Sequence, residues 1–137
     1  MSPAADAHPP LENHAAYAVC RPNISGAGRR RRTRIGYAAV MVSFLLFGAL
    51  LVSHAAWYWR ALLCLPAGLA AVSFLQVRRN TCIARAAEGT FEHDDFSRTK
   101  APDDEVAASR RVAATIRRDS ALIAVACGVL AALTALA

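Results

Sequence analysis

Residues 35–77 read IGYAAVMVSFLLFGALLVSHAAWYWRALLCLPAGLAAVSFLQV and contain one formal charge, Arg60. The hydrocarbon core of a bilayer is about 30 Å thick, and roughly 20 apolar helical residues cross it. These 43 residues are therefore long enough for two crossings. Aromatic residues at 57–59 mark the turn between them, because amphipathic rings settle at the level of the lipid headgroups. The stretch predicts a transmembrane helical hairpin with spans at about 35–58 and 61–77.

The charges of the chain are segregated in the way that a bilayer requires. The chain has 137 residues, is 55% hydrophobic and carries a formal net charge of +6. Apart from Arg60, every Lys and Arg either precedes the first span or lies between residues 78 and 119. A charge at the centre of a membrane costs about 3 kcal/mol on insertion scales. Length and composition therefore favour one small membrane domain without a large soluble core.

Residues 1–34 are predicted to form a disordered basic tail. Residues 3–22 include four prolines, show no helical periodicity and contain little apolar bulk. An arginine tract lies directly against the first span, where the positive-inside rule makes it a cytoplasmic anchor: Arg29, Arg30, Arg31, Arg32 and Arg34. A signal peptide cleaved near 53–55 is an alternative, but the apolar region is too long and a second one follows at once. Nucleic-acid binding by the tract is another alternative. No aromatic or folded reading module accompanies the tract, so we predict no nucleic-acid partner.

Residues 78–119 are predicted to form a cytoplasmic segment of three parts. The second helix is expected to continue to Glu88 and to stop at Gly89, a natural C-terminal cap. A polar loop follows at 89–101. Its acidic cluster is interpreted as solvated, because consecutive residues rarely converge on one ion: Glu92, His93, Asp94 and Asp95. From Pro102 an amphipathic helix begins. Its arginines, together with the N-terminal tract, are predicted to contact anionic lipid headgroups: Arg110, Arg111, Arg117 and Arg118.

Residues 120–137 (SALIAVACGVLAALTALA) are a third apolar run and predict a third span. Ala124, Gly128 and Ala132 stand four residues apart, and we call them the small-residue ladder, because such spacing lets helix backbones approach closely. The predicted fold class is all-α with three transmembrane helices. Six Lys and Arg precede the first span, nine lie in 78–119 and one lies in the hairpin. The positive-inside rule therefore predicts a multi-pass protein of the inner (plasma) membrane, with a cytoplasmic N-terminus and a C-terminus outside.

The reactive side chains form no recognisable site in the sequence. Cys64 and Cys127 fall inside apolar segments, where a thiol acts as a small hydrophobe. Cys20 and Cys82 flank the membrane on the predicted cytoplasmic side, where thiols stay reduced. His54 lies within one turn of the aromatic residues and is expected to be a wet interfacial side chain. No C-x-x-C pair or zinc spacing is present, so we assign no catalytic, cofactor-binding or metal-binding residue.

A short pattern resembles one found in small bacterial membrane proteins of unknown function. It reads F-x-Q, four residues, T-C, three residues, A-A-x-G, and covers about 16 of the 137 residues: Phe74, Gln76, Thr81, Cys82, Ala86, Ala87 and Gly89. The resemblance implies membership of this group and no particular activity. Within the pattern, we interpret Cys82 as a small residue that packs one helix against another, with a reactive thiol as the alternative.

The sequence favours a non-enzymatic integral membrane protein that packs against a partner or against itself through small-residue helix faces. The small-residue ladder supports this interpretation, and no set of base, nucleophile or metal ligands appears. A transport or redox accessory subunit that uses His54, Cys64 or Cys127 is the alternative. It requires polar groups that converge within the membrane. A membrane-bound enzyme is the least favoured hypothesis.

Overall fold

The computed structural model describes residues 23–136, and within that range the chain is mostly helical. The elements are α1 (Gly26–Val52), α2 (Trp57–Ala61), α3 (Cys64–Arg78), α4 (Ile83–Glu88), β1 (Thr90–Glu92), β2 (Arg98–Lys100) and α5 (Asp103–Leu133). The helical class is as predicted, but the fold is not purely α-helical. β1 and β2 pair in antiparallel register, with Phe91 opposite Thr99. The predicted polar loop is therefore a short β-hairpin.

Helix α1 begins in the arginine tract. Ser25 is its N-cap, and Ser25 Oγ accepts a hydrogen bond of 2.9 Å from the Gly28 N–H. Asp94 Oδ1 accepts a second one, of 3.1 Å, from the Ala27 N–H. These side chains satisfy donors that the first helical turn leaves unpaired. The predicted end of the disordered tail at residue 34 is therefore wrong, since residues 26–34 are helical. Residues 1–22 of the predicted tail lie outside the described residues.

Two helical segments are long and apolar enough to cross a bilayer: α1 with 27 residues, and Trp57–Arg78, which joins α2 to α3, with 22 residues. The turn between them comes earlier than predicted. Helix α1 ends at Val52, and His54 adopts a left-handed backbone conformation with φ of 50°. The aromatic residues at 57–59 belong to α2, the first turn of the second segment, and are exposed.

The second segment does not continue to Glu88 as predicted. Helix α3 ends at Arg78, and Asn80 turns the chain with φ of 49° before α4 begins. Gly89 does cap α4 as predicted, in the left-handed conformation with φ of 66°. A Cβ atom at Gly89 would also lie 3.2 Å from Val106 Cγ2 on α5. Glycine therefore suits both the backbone conformation and the close approach of α5.

The predicted amphipathic helix and the predicted third apolar run form one helix, the 31-residue α5. Its first turn carries Asp103, Asp104 and Glu105, as suits the positive end of the helix dipole. Its buried residues recur at spacings of three, four or eight positions, which keep them on one side of the helix: Ser109, Ala113, Ile116, Ser120, Gly128 and Ala131. A boundary at residue 120 is therefore absent, because one continuous face packs against the rest of the molecule.

Helix α3 lies between α1 and α5 and packs closely on both. On one side, a Cβ atom at Gly36 would lie 2.9 Å from Phe74 Cζ. On the other side, a Cβ atom at Gly68 would lie 3.1 Å from Ala124 Cβ, and one at Gly128 would lie 3.0 Å from Cys64 Cβ. The last two contacts show that α5 runs antiparallel to α3. Two members of the small-residue ladder are therefore used inside the molecule, against the hairpin.

An apolar groove of about 880 Å³ runs along α3 between α1 and α5. Small side chains of α3 form its floor and larger ones of α1 and α5 form its walls, among them Ala67, Ala70, Phe44, Phe47, Ile123 and Leu130. Arg78, at the end of α3, is the one charged residue among those that line it.

Candidate functional site

Buried and partly buried polar side chains meet where α1, α3, α4 and β1 come together. Each is hydrogen-bonded to at least one other member of the set, which we call the polar cluster: Asn23, Ser25, Arg32, Gln76, Cys82, Arg85 and Glu92. The members come from segments far apart in the sequence. The polar cluster is the most extensive arrangement of polar groups in the part of the chain that the structure describes.

Asn23 binds the backbone at the start of α4. Its Oδ1 accepts a hydrogen bond of 2.6 Å from the Cys82 N–H, and its Nδ2 donates one of 3.3 Å to the Cys82 carbonyl. Cys82 is the N-cap of α4 and has no side-chain capping bond of its own. Because both residues are at least 97% buried, these bonds replace water as partner of the Cys82 backbone.

Arg32 turns from the arginine tract into the polar cluster. Its Nη2 donates a hydrogen bond of 2.8 Å to Cys82 Sγ, and its Nε donates one of 3.3 Å to Gln76 Oε1. Gln76 Oε1 also accepts from the Ile83 N–H at 3.3 Å. One guanidinium therefore joins α1 to α3 and to the start of α4.

Glu92 lies between two arginines. Its Oε1 is 3.7 Å from Arg32 Nη1, its Oε2 is 3.3 Å from Arg85 Nε, and Ser25 Oγ donates to it at 3.1 Å. The side chain of Glu92 is only 5% exposed, so its charge depends on these partners. Arg85 also pairs with Glu88 at 2.6 Å, and this hydrogen bond lowers the pKa of Glu88. Burial opposes the charged form of Arg85, but the bonds to both carboxylates raise its pKa.

The acidic cluster of the sequence separates in the structure. Glu92 enters the polar cluster, Asp94 binds the first turn of α1, and Asp95 Oδ1 accepts from the Ser97 N–H at 2.9 Å inside the β-hairpin. His93 Nε2 lies 3.0 Å from Thr99 Oγ1. Between residues 23 and 136, no three His, Cys, Asp or Glu side chains group in a way that could hold a metal ion.

The three residues of the transport or redox alternative occupy two separate regions. His54 is exposed in the turn after α1. Cys64 and Cys127 are half-buried on α3 and α5, and Cys127 lines the apolar groove. Cys82, in contrast, is buried in the polar cluster, where its thiol accepts from Arg32.

Two further arginines hold α5 at both ends of α3. At one end, Arg79 Nη2 lies 2.6 Å from Asp119 Oδ2, and Arg79 also donates to Thr115 Oγ1. At the other end, the buried Arg60 donates to the Ala55 carbonyl and to Thr134 Oγ1, both at 3.0 Å. Hydrogen bonds from Arg118 and Arg79 lower the pKa of Asp119. Of the predicted headgroup ligands on α5, Arg110 donates to the carbonyls of Ala86 and Ala87, and Arg118 pairs with Asp119.

The residues of the F-x-Q…T-C…A-A-x-G pattern have structural roles. Phe74 packs edge-to-face on Tyr37, with ring centroids 5.3 Å apart, and Ala86 is 1% exposed. Gln76 and Cys82 belong to the polar cluster. The sequence did not predict that Asn23, Arg32 and Glu92 would join them there. A signal for Arg32 was present, because Gly28, Arg32, Gly36 and Ala39 fall on one helical face at spacings of three and four.

Comparison of the chain with known proteins finds no matching protein family, no matching curated protein and no matching solved structure. The resemblance based on the short pattern therefore stays a prediction. In the polar cluster itself, each member is engaged by another, and this favours a role in joining α1, α3, α4 and the β-hairpin.

Proposed function

We propose that the chain is a non-enzymatic integral membrane protein of three spans that acts as a packing or assembly partner of another membrane-spanning chain. In this proposal it resides in the bacterial inner membrane, with a cytoplasmic N-terminus and an external C-terminus. The arginine tract and the long basic segment at 78–119 support this orientation, because cytoplasmic segments carry an excess of Lys and Arg.

The register of α5 supports the third span. Asp119 is bound beside the end of α3 by Arg79, and Thr134 is bound beside its start by Arg60. The stretch of α5 between these two residues therefore runs alongside the whole of α3. A bilayer that encloses α3 would enclose this stretch at the same depth. Arg117 and Arg118 lie next to its charged end, where long side chains reach the headgroup region.

The exposed side of α1 gives the main support to the proposed function. Helix α1 has its main contacts with α3, so its opposite side is open, and we call that side the outer face: Met41, Leu45, Gly48 and Val52. Leu45 is 69% exposed, and a Cβ atom at Gly48 would meet nothing within 4 Å. In lipid, helices associate through close packing at small residues, and Gly48 at the middle of an open face permits such an approach.

A photo-crosslinking amino acid at Leu45, in cells that make the full chain, tests the proposal. We expect a discrete crosslinked protein product, and Gly48→Leu should abolish it. The matched control is the same crosslinker at Leu122, a leucine of α5 that is 63% exposed. Two differently tagged copies made together distinguish a second copy from another protein. Equal, diffuse lipid labelling at both positions would contradict the proposal.

A further inference from the structure

The apolar groove is open at the end where the free arginines lie. Val77 lines the groove, and it also lines a neighbouring pocket of about 450 Å³ formed with Gly26, Arg29, Arg30, Thr33 and Arg34. Arg78, which follows Val77, lines the groove itself. The apolar groove and a basic surface therefore meet at the end of α3. We call Arg29, Arg30, Arg34 and Arg78 the arginine patch.

The arginine patch has no counter-charge inside the described molecule. Arg32, Arg79 and Arg85 each pair with a carboxylate of the protein. The guanidinium groups of the arginine patch, in contrast, make neither an ion pair nor a hydrogen bond within residues 23–136. Arg29, Arg30 and Arg34 line one pocket, so their charges repel, and an anion placed among them relieves that repulsion. The patch thus favours an external anionic group.

The groove has the length and the chemistry for a hydrocarbon chain. The stretch that lines it, from Leu63, the N-cap of α3, to Arg78, rises about 22 Å at 1.5 Å per residue. One leaflet of hydrocarbon is roughly 15 Å deep, half of the bilayer core. Apart from the hydroxyl groups of Ser43 and Thr134 the groove is lined mostly by apolar side chains, and its one charged residue lies at one end. A molecule with an anionic head and an apolar tail matches this order of surfaces.

We infer that the groove and the arginine patch bind one anionic phospholipid. The phosphate lies between Arg34 and Arg78, and an acyl chain lies along α3 between Phe44 on α1 and Leu130 on α5. Basic pockets beside membrane helices recognise anionic headgroups in this way. A partner helix would fill an apolar groove equally well, but it offers no phosphate to the arginine patch. The inference rests on the membrane insertion proposed above, and not on the protein contact at the outer face of α1.

The test is native mass spectrometry of the full chain, purified in detergent and titrated with phosphatidylglycerol or phosphatidylcholine of the same acyl chains. We expect one tightly bound phosphatidylglycerol and weaker binding of phosphatidylcholine. Inorganic phosphate alone should not compete at equal concentration, because it lacks the chain that fills the groove. Arg34→Gln/Arg78→Gln should weaken phosphatidylglycerol binding about 30-fold, from about 1 kcal/mol for each arginine.

The matched control removes the same charge elsewhere. Arg111 and Arg117 are predicted headgroup contacts at the bilayer surface, but they line neither the groove nor the pocket beside it. Arg111→Gln/Arg117→Gln should therefore change the binding of the one groove lipid less than threefold. Ala67→Phe fills the floor of the groove and should weaken both lipids. The arginine variants carry no folding risk from lost internal bonds, so they decide the test if Ala67→Phe elutes as aggregate.

Equal weakening by both double variants, or equal binding of the two lipids, would overturn the inference. With a photo-crosslinking amino acid at residue 67, a crosslink to a protein rather than to lipid would also overturn the inference. Each of these results leaves the crosslink at Leu45 unaffected.

Discussion

Asn23 and Cys82 exchange two hydrogen bonds although 59 residues separate them. The side chain of Asn23 thereby acts as the partner of a backbone segment that has left α3 and has not yet entered α4. The adjacent Thr81 is equally enclosed, at 2% exposed. The break between the two helices is therefore held by a residue that precedes α1.

Asn23→Ala should lower the free energy of unfolding by about 1–3 kcal/mol for each buried backbone group left without a partner. It should also let a bulky maleimide reach Cys82, which is 3% exposed in the parent protein. The measurements are thermal unfolding in mild detergent and labelling rates after Cys20, Cys64 and Cys127 are replaced by Ser. Ser97→Ala in the exposed β-hairpin is the control. Parent-like stability and labelling in Asn23→Ala would show that the two hydrogen bonds contribute nothing.

Gly128→Leu should separate α5 from the hairpin. A Cβ atom at this position already lies 3.0 Å from the Ala61 carbonyl oxygen and from Cys64 Cβ, so the larger side chain requires backbone movement. Overpacking of this kind typically costs about 1–3 kcal/mol. Leu130→Ile, two residues away and 65% exposed in the parent, should be tolerated. Yield and elution position in detergent measure the effect, and identical profiles for both variants would exclude close packing at Gly128.

Acid should destabilise the folded state through Glu88 and Asp119. A hydrogen bond from Arg85 holds the pKa of Glu88 below its unfolded value of about 4. Hydrogen bonds from Arg118 and Arg79 do the same for the pKa of Asp119. Their stabilisation is therefore present above the unfolded pKa and is lost as the pH falls through the folded pKa. We expect the melting temperature to fall between about pH 5 and pH 3. Asp119→Asn should flatten this dependence, whereas Asp103→Asn should leave it intact. An unchanged slope in Asp119→Asn would contradict the assignment.

A reporter active only in the cytoplasm tests the three spans. Fused after Ala137 it should be silent, and inserted next to Thr99 it should be active. The reason is that Arg79 and Arg60 hold α5 along the whole length of α3, from the basic side to the tip of the hairpin. An active reporter at Ala137 would mean an even number of crossings.

Features set by local composition were predictable from the sequence. The helical hairpin followed from its long apolar stretch, although its turn lies before the aromatic residues that were expected to mark it, and Gly89 followed from its capping chemistry. The break at Asn80, the helical start of α1 and the pairing of β1 with β2 were not. The two strands are only three residues long and rich in polar side chains, so no strand pattern reveals them. The other two features depend on contacts between distant residues, Asn23 with Cys82 and Asp94 with the Ala27 N–H, that no local pattern specifies. The polar cluster also depends on distant contacts, since no residue near Arg32 in the sequence indicates that Glu92 is its partner.

The pairing of Arg32 with Glu92 also imposes an order on biosynthesis. Sixty residues separate the two, so the ribosome adds Glu92 about 3–12 s after Arg32 at 5–20 residues per second. During that interval α1 and then α3 can emerge and meet through Gly36 and Phe74. Arg32 has no carboxylate partner until β1, which carries Glu92, has been synthesised. A chain that stops before residue 92 therefore leaves Arg32 without the carboxylate that it pairs with in the complete fold.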